Sequence, residues 1–149
     1  MALAANDAAD RVDQLTILTE RLADLTAQQC QAFERHRPVD AGRLMEEVSR
    51  LANLYRHESS RVRADPKLVL GAPAELRQRL VRATEAFDAV LHRYGRAVDA
   101  AKTVTEGLVR AIAEEVASKR ERLSGYGPTA RPPSSAAGAA TAITLNQRA

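Results

Sequence analysis

The stretch PAELRQRLVRATEAFDAVLHRYGRAVDAAKTVTEGLVRAIAEEVASKRERL, residues 73–123, decides the fold. Apolar or small residues recur at Leu76, Leu80, Ala83, Phe87, Val90, Tyr94, Ala97, Ala101, Val104, Leu108 and Ala111, in steps that alternate four and three. That is the heptad spacing of helices that wrap one another. Leu91, Val98, Ile112 and Val116 widen the stripe on one flank. Pro73 opens the segment where a missing N–H costs nothing, and no proline follows inside it. Gly95 and Gly107 each cost about 1 kcal/mol against alanine. The spacing predicts one helix of about 50 residues, roughly 75 Å long. A stripe of that length has to be covered by something.

Upstream, Leu15, Leu18, Leu22 and Leu25 form a second stripe that resumes at Phe33. With Asn6 or Asp7 as cap, it predicts a helix over 7–36 that Pro38 stops. Asp40 is the expected N-cap of a helix over 40–64, with Leu44, Val48, Leu51, Tyr55 and Val62 as its seam and Asp65-Pro66 as its end. The short link between these two makes them an antiparallel hairpin. Leu68, Val69 and Leu70, between two turn signals, are too apolar for a free loop and should fold over one end of the bundle. The pairs Glu75/Arg79, Glu106/Arg110 and Glu115/Lys119 have the i, i+4 spacing that supports a helix locally.

The fold class is therefore all-α: an antiparallel hairpin packed on one long C-terminal helix, a three-helix coiled-coil-like bundle over residues 1–123. Residues 124–149 follow as a flexible tail of Gly, Pro, Ser, Ala and Thr. Near its end Ile143 and Leu145 return as a short apolar patch, either a docking peptide or a frayed terminus.

Composition agrees. The 149 residues suit one domain; 45% are hydrophobic, 28% charged and only 3% aromatic, with no Trp. A net charge of +3 is modest, and Arg rather than Lys supplies it. The single Cys30 rules out an internal disulfide and reads as a small core residue. Residues 1–10 lack the pattern of a signal peptide, and no run approaches the ~18 apolar residues of a membrane span. A cytoplasmic protein without membrane insertion is expected.

No catalytic residues stand out. His36, His57 and His92 are scattered one per helix without metal-ligand spacing, and His92 pairs with Asp88 on a surface. Gly125-Tyr126-Gly127-Pro128 follows a helix rather than a strand, so it is no phosphate loop. No cofactor and no enzyme activity are expected. Arg50, Arg56, Arg61, Arg63 and Lys67, with Arg77, Arg79 and Arg82, are basic, but Glu46, Glu47, Glu58 and Asp65 interleave. That pattern reads as a solvated mixed face, and nucleic-acid binding ranks last.

The functional inference comes from reach. Helices of roughly 45 and 40 Å cover a 75 Å helix only through about Ala101. Val104, Leu108, Ala111, Ile112 and Val116 lie beyond, and a contiguous apolar strip of that kind marks a binding surface for another protein. A homodimer through the same strip, or a staggered hairpin, would cover it equally well.

The order of helical hairpin, PKLVLGAP connector (66–73), long helix containing AAKTVTEGLVRAIAEEV (100–116), GYGP (125–128) and small-residue tail resembles the FlgN-type flagellar export chaperones, especially their divergent alphaproteobacterial group. The resemblance implies a small cytoplasmic helical chaperone of flagellar type III export. It would bind hook–filament junction proteins through the last helix, keep them from premature assembly and deliver them to the export gate. It also implies cargo contacts at Val104, Leu108, Ile112 and Val116, and a gate-docking tyrosine for which Tyr126 is the candidate. The competing reading is a self-associating coiled-coil protein of flagellar assembly that carries no cargo.

Overall fold

A computed structural model describes residues 2–125. Its elements are α1 (Ala8–Glu34), α2 (Pro38–Arg43), α3 (Met45–Ala64), α4 (Lys67–Leu70) and α5 (Ala74–Ser124), with no strand among the described residues. Two compact units divide the chain, the first ending at Val109 and the second beginning at Arg110.

In the first unit α1 and α3 are antiparallel: Arg11 meets Glu58 and Arg21 meets Glu47. α5 runs parallel to α1, because its contacts advance together along both helices. Arg79 bridges to Asp13 and Glu20 of α1, and Arg93 to Glu34. Two edge-on aromatic pairs lock α5 laterally, Tyr55–Phe87 at 5.5 Å between centroids and Phe33–Tyr94 at 6.0 Å. The expected hairpin-plus-long-helix architecture is the observed one.

The weight of the core lies on α1. Val12, Leu15, Leu18, Leu22, Leu25 and Cys30 are all buried, against only Ala83, Phe87 and Ala97 on α5. α1 sits between two neighbours, whereas the α5 stripe is wider than two helices can cover. α1 also buries three threonines, whose hydroxyls donate to the carbonyls of Val12, Leu15 and Leu22 one turn back. Each polar group is thereby satisfied within its own helix, which lets it sit in an apolar layer at low cost. Buried Gln29 donates from Nε2 to the Ala41 carbonyl at 3.2 Å and ties α2 to α1.

Local signals account for most boundaries. Asp7 caps α1, its Oδ1 accepting from the Asp10 N–H at 2.8 Å. The Pro73 carbonyl accepts from Arg77 at the start of α5. The connector forms α4 at the N-terminal end of α1, with Leu68 and Val69 half-buried and an added Gly71 Cβ standing 3.4 Å from Ala8.

Four details depart from expectation. α1 ends at Glu34, and Pro38 starts the next helix instead of only stopping the last one. Asp40 is not its cap: it lies inside α2 and pairs with Arg37 and Arg43. Leu44 then divides α2 from α3, its N–H bonding three residues back to Ala41, so the turn tightens there. Among the spaced pairs, Glu115–Lys119 forms at 3.4 Å, but Arg79 turns to α1 and Glu106 pairs with Lys102. A carboxylate on a neighbouring helix competes well with one a turn away, since each exposed pair is worth only a few tenths of a kcal/mol.

Candidate functional site

Cover on α5 stops at Ala101, which is half-buried. Beyond it in the first unit, Val104 is 56% exposed and Leu108 60%. In the second unit Ile112 is 56% exposed and Val116 46%, and Ala111 is exposed as well. At about 100° per residue, 104 and 108 of the first unit stand roughly 40° apart around the helix, and 111, 112 and 116 of the second fall within an arc of roughly 140°. Val109, also in the first unit, is 62% exposed. Tyr126 and the patch at Ile143 and Leu145 lie outside the described residues.

This part of α5 carries local support of its own. Lys102–Glu106 and Glu115–Lys119 bridge successive turns, and Thr103 and Thr105 donate their hydroxyls to the carbonyls of Asp99 and Ala101. Gly107 has open space around it and contributes nothing to packing.

Where the cover stops, the first unit holds a cleft of about 390 Å³ between Phe33, His36 and Pro38 on one wall and Val98, Ala101, Val104 and Thr105 on the other. The turn after α1 builds the first wall. His36 adopts φ 57°, its N–H donates to Phe33 and the Arg37 N–H to Ala32, the paired bonds of a Schellman cap. That position is usually glycine; a histidine here presents an imidazole to the cleft at a backbone cost of order 1 kcal/mol. Glu34 and Arg93 join by two hydrogen bonds, one of 2.8 Å from Nε to Oε1. Arg93 holds the Glu34 carboxyl below its usual range, and Glu34 in turn holds the guanidinium above. Beneath them the Cys30 thiol is pushed up, by burial first and then by its contact with Glu34 at 3.4 Å, so it stays protonated. Among the described residues the cleft is lined by one lysine, Lys102, and by no carboxylate.

Glu58, read from sequence as part of a solvated face, is fully buried. It accepts from Arg11 and from the Leu3 N–H, each at 3.0 Å, and from Arg61 at 3.1 Å. Burial alone would raise its pKa; the Leu3 N–H, Arg61 and His57 outweigh it and hold the group below the ordinary value. This cluster ties the N-terminal segment to the hairpin and is structural. His92 and Asp88 form the expected surface pair at 3.6 Å. Among the described residues no cluster of three or more His, Cys, Asp or Glu could hold a metal, and no helix is long and apolar enough to cross a membrane.

An all-helical bundle whose last helix bares an apolar strip is a form shared by many proteins, so relatives carry the assignment further. Flagellar basal-body protein FlbY of Caulobacter vibrioides (strain ATCC 19089 / CIP 103742 / CB 15) is 61% identical over 154 aligned residues, with 100% of both chains covered. The chain belongs to this family of flagellar proteins. No protein-family model matches it, and no solved structure does.

Proposed function

We propose that this protein is a cytoplasmic chaperone of flagellar assembly, without enzyme activity, that holds export substrates of the hook–filament junction class before they polymerise. The observation that carries the reading is the exposure of aliphatic side chains late in α5: Val104 and Leu108 in the first unit, where Val104 also lines the cleft with Phe33, His36 and Pro38, and Ile112 and Val116 in the second. Family membership supplies the flagellar setting. Junction proteins end in segments that form coiled coils once assembled, and a matching apolar helix satisfies such a segment early.

The magnitudes suit a carrier that must let go. Each large side chain gains roughly 1.5–3 kcal/mol on full burial, and these four are already about half covered by their own helix. The strip therefore supplies about 3–6 kcal/mol before the cost of association, so the cleft and the cargo's own contacts must add the rest. That balance points to micromolar or weaker binding, compatible with release at the export gate, where Tyr126 is the docking candidate.

The test is co-purification of tagged protein from flagellated cells, followed by binding assays with the purified junction proteins. Retention of one or two junction proteins at a fixed ratio, lost in Leu108→Glu with helicity unchanged, supports the chaperone. Recovery of the chain with itself alone, as a dimer by light scattering, selects the self-associating alternative. Binding that survives Leu108→Glu removes the strip from the account.

A further inference from the structure

In the second unit the large apolar side chains among the described residues are Ile112, Val116 and Leu123, exposed at 56%, 46% and 80%. At about 100° per residue they fall within roughly 40° of one another and form a single row along α5. Lys119 belongs to the same row but is drawn to Glu115 at 3.4 Å.

Downstream, large aliphatic residues return only at Ile143 and Leu145. Between Leu123 and Ile143 the only large side chains are Tyr126 and Arg131. Two positions apart, Ile143 and Leu145 share one side of an extended segment at a spacing of about 6.6–6.8 Å. Ile112 and Val116, four apart on a helix, stand about 6.0 Å apart along its axis. The two pairs therefore match in spacing.

Reach matches as well. From Gly125 back to Val116 is 9 residues and to Ile112 is 13, by subtraction of their numbers. Those stretches of helix measure about 14 and 20 Å. The 18 residues from 126 to 143 are mostly Gly, Ala, Ser, Thr and Pro. A linker of that length and composition spans about 21–25 Å in the mean. Effective concentration is highest when reach and span agree, and is then on the order of a few millimolar. A second copy at micromolar concentration competes poorly with a segment tethered that way.

We propose that residues 141–145 are a tethered lid, whose Ile143 and Leu145 cover Ile112 and Val116 until a partner displaces them. The regulatory role rests on the chaperone reading above; the contact itself does not. With an intrinsic Kd of about 1 mM against about 3 mM effective concentration, the lid is closed about three quarters of the time. It thus weakens a competing partner about fourfold, and slows amide exchange at 112–116 by no more than that factor.

The experiment uses the full-length protein with the photo-cross-linker p-benzoylphenylalanine in place of Thr144, which leaves Ile143 and Leu145 intact. Irradiated alone at low micromolar concentration, it should cross-link within one chain to residues 112–116, as mapped by mass spectrometry. Ile112→Ser with Val116→Ser should cut that product severalfold with the far-UV spectrum unchanged. In the unlabelled protein, Ile143→Ser with Leu145→Ser should bind purified junction protein about fourfold tighter than wild type. The proposal is overturned by cross-links confined to the first unit, by cross-links to another copy, by a product insensitive to the two serines on α5, or by equal affinity of wild type and tail variant for the junction protein. A junction protein that binds neither removes the chaperone reading, and the cross-link alone then upholds or overturns the lid.

Discussion

Replacing Glu58 by alanine removes the carboxylate that Arg11 meets at 3.0 Å and leaves that guanidinium, whose side chain is only 10% exposed, without its partner. Breaking a buried pair from one side costs about 3–5 kcal/mol, because the remaining charge stays desolvated. The Leu3 N–H loses its acceptor as well. A protein of this size has about 5–15 kcal/mol of total stability, so the variant should still fold at 25 °C while its urea midpoint falls steeply. The pair's own net value is small, since two charges were dehydrated to make it. Glu58→Leu combined with Arg11→Met should therefore recover most of what Glu58→Ala loses. The pH dependence has a definite sign. The folded-state pKa of Glu58 lies below its unfolded value, so its contribution is complete above about 4.5 and is lost as pH falls through the folded pKa. Asp10 and Glu34 shift the same way, so part of the acid sensitivity remains in the variant, and the difference between wild type and Glu58→Gln isolates Glu58. Urea titrations followed by circular dichroism at pH 7, 5 and 4 measure all of this. A loss below about 1 kcal/mol for Glu58→Ala, or the same loss in an Arg11→Met background, would show that the pair is solvated and the reasoning wrong.

Other outcomes are equally specific. His36→Gly should raise stability by about 1 kcal/mol by relieving the left-handed backbone, read as a shift in melting temperature; a destabilised variant would mean that the imidazole packs in the cleft. Gly95→Ala should raise stability by about 0.5–1 kcal/mol, because the added methyl meets open space, and no change in thermal midpoint would contradict it. Cys30 should react with a thiol reagent only at the rate of global opening, since it is buried and held protonated; a fast burst at neutral pH would refute that.

Periodicity made the long elements readable. The heptads of α5 and the leucines of α1 persist over many turns, and no local irregularity can cancel so many matches. The division at Leu44 was not readable, because it turns on one hydrogen bond shifting from four residues back to three. The burial of Glu58 is hidden for a related reason: a glutamate among arginines on a helix has the pattern of a wet face. Only the approach of Arg11, 47 positions earlier, and of the N-terminal backbone makes it a core residue. For the cleft, the candidates on α5 were visible as the continuation of a stripe. Its opposite wall was not, because a histidine in a Schellman cap has no sequence signature; glycine is the residue that announces such a turn. The weight of burial on α1 rather than α5 likewise depends on which helix lies between the other two, and a stripe alone does not encode that.

Hydrogen exchange along α5 reports whether the strip stands uncovered. Measured on protein that light scattering shows to be monomeric, the amides of 104–116 should exchange orders of magnitude faster than those of α1 around Leu22, since Leu22 is 1% exposed whereas Val104, Leu108, Ile112 and Val116 are 46–60% exposed. Addition of a junction protein should then slow them selectively. Protection at 104–116 equal to that of α1 in the lone monomer would mean that the strip is already covered, and the binding surface proposed here would not exist.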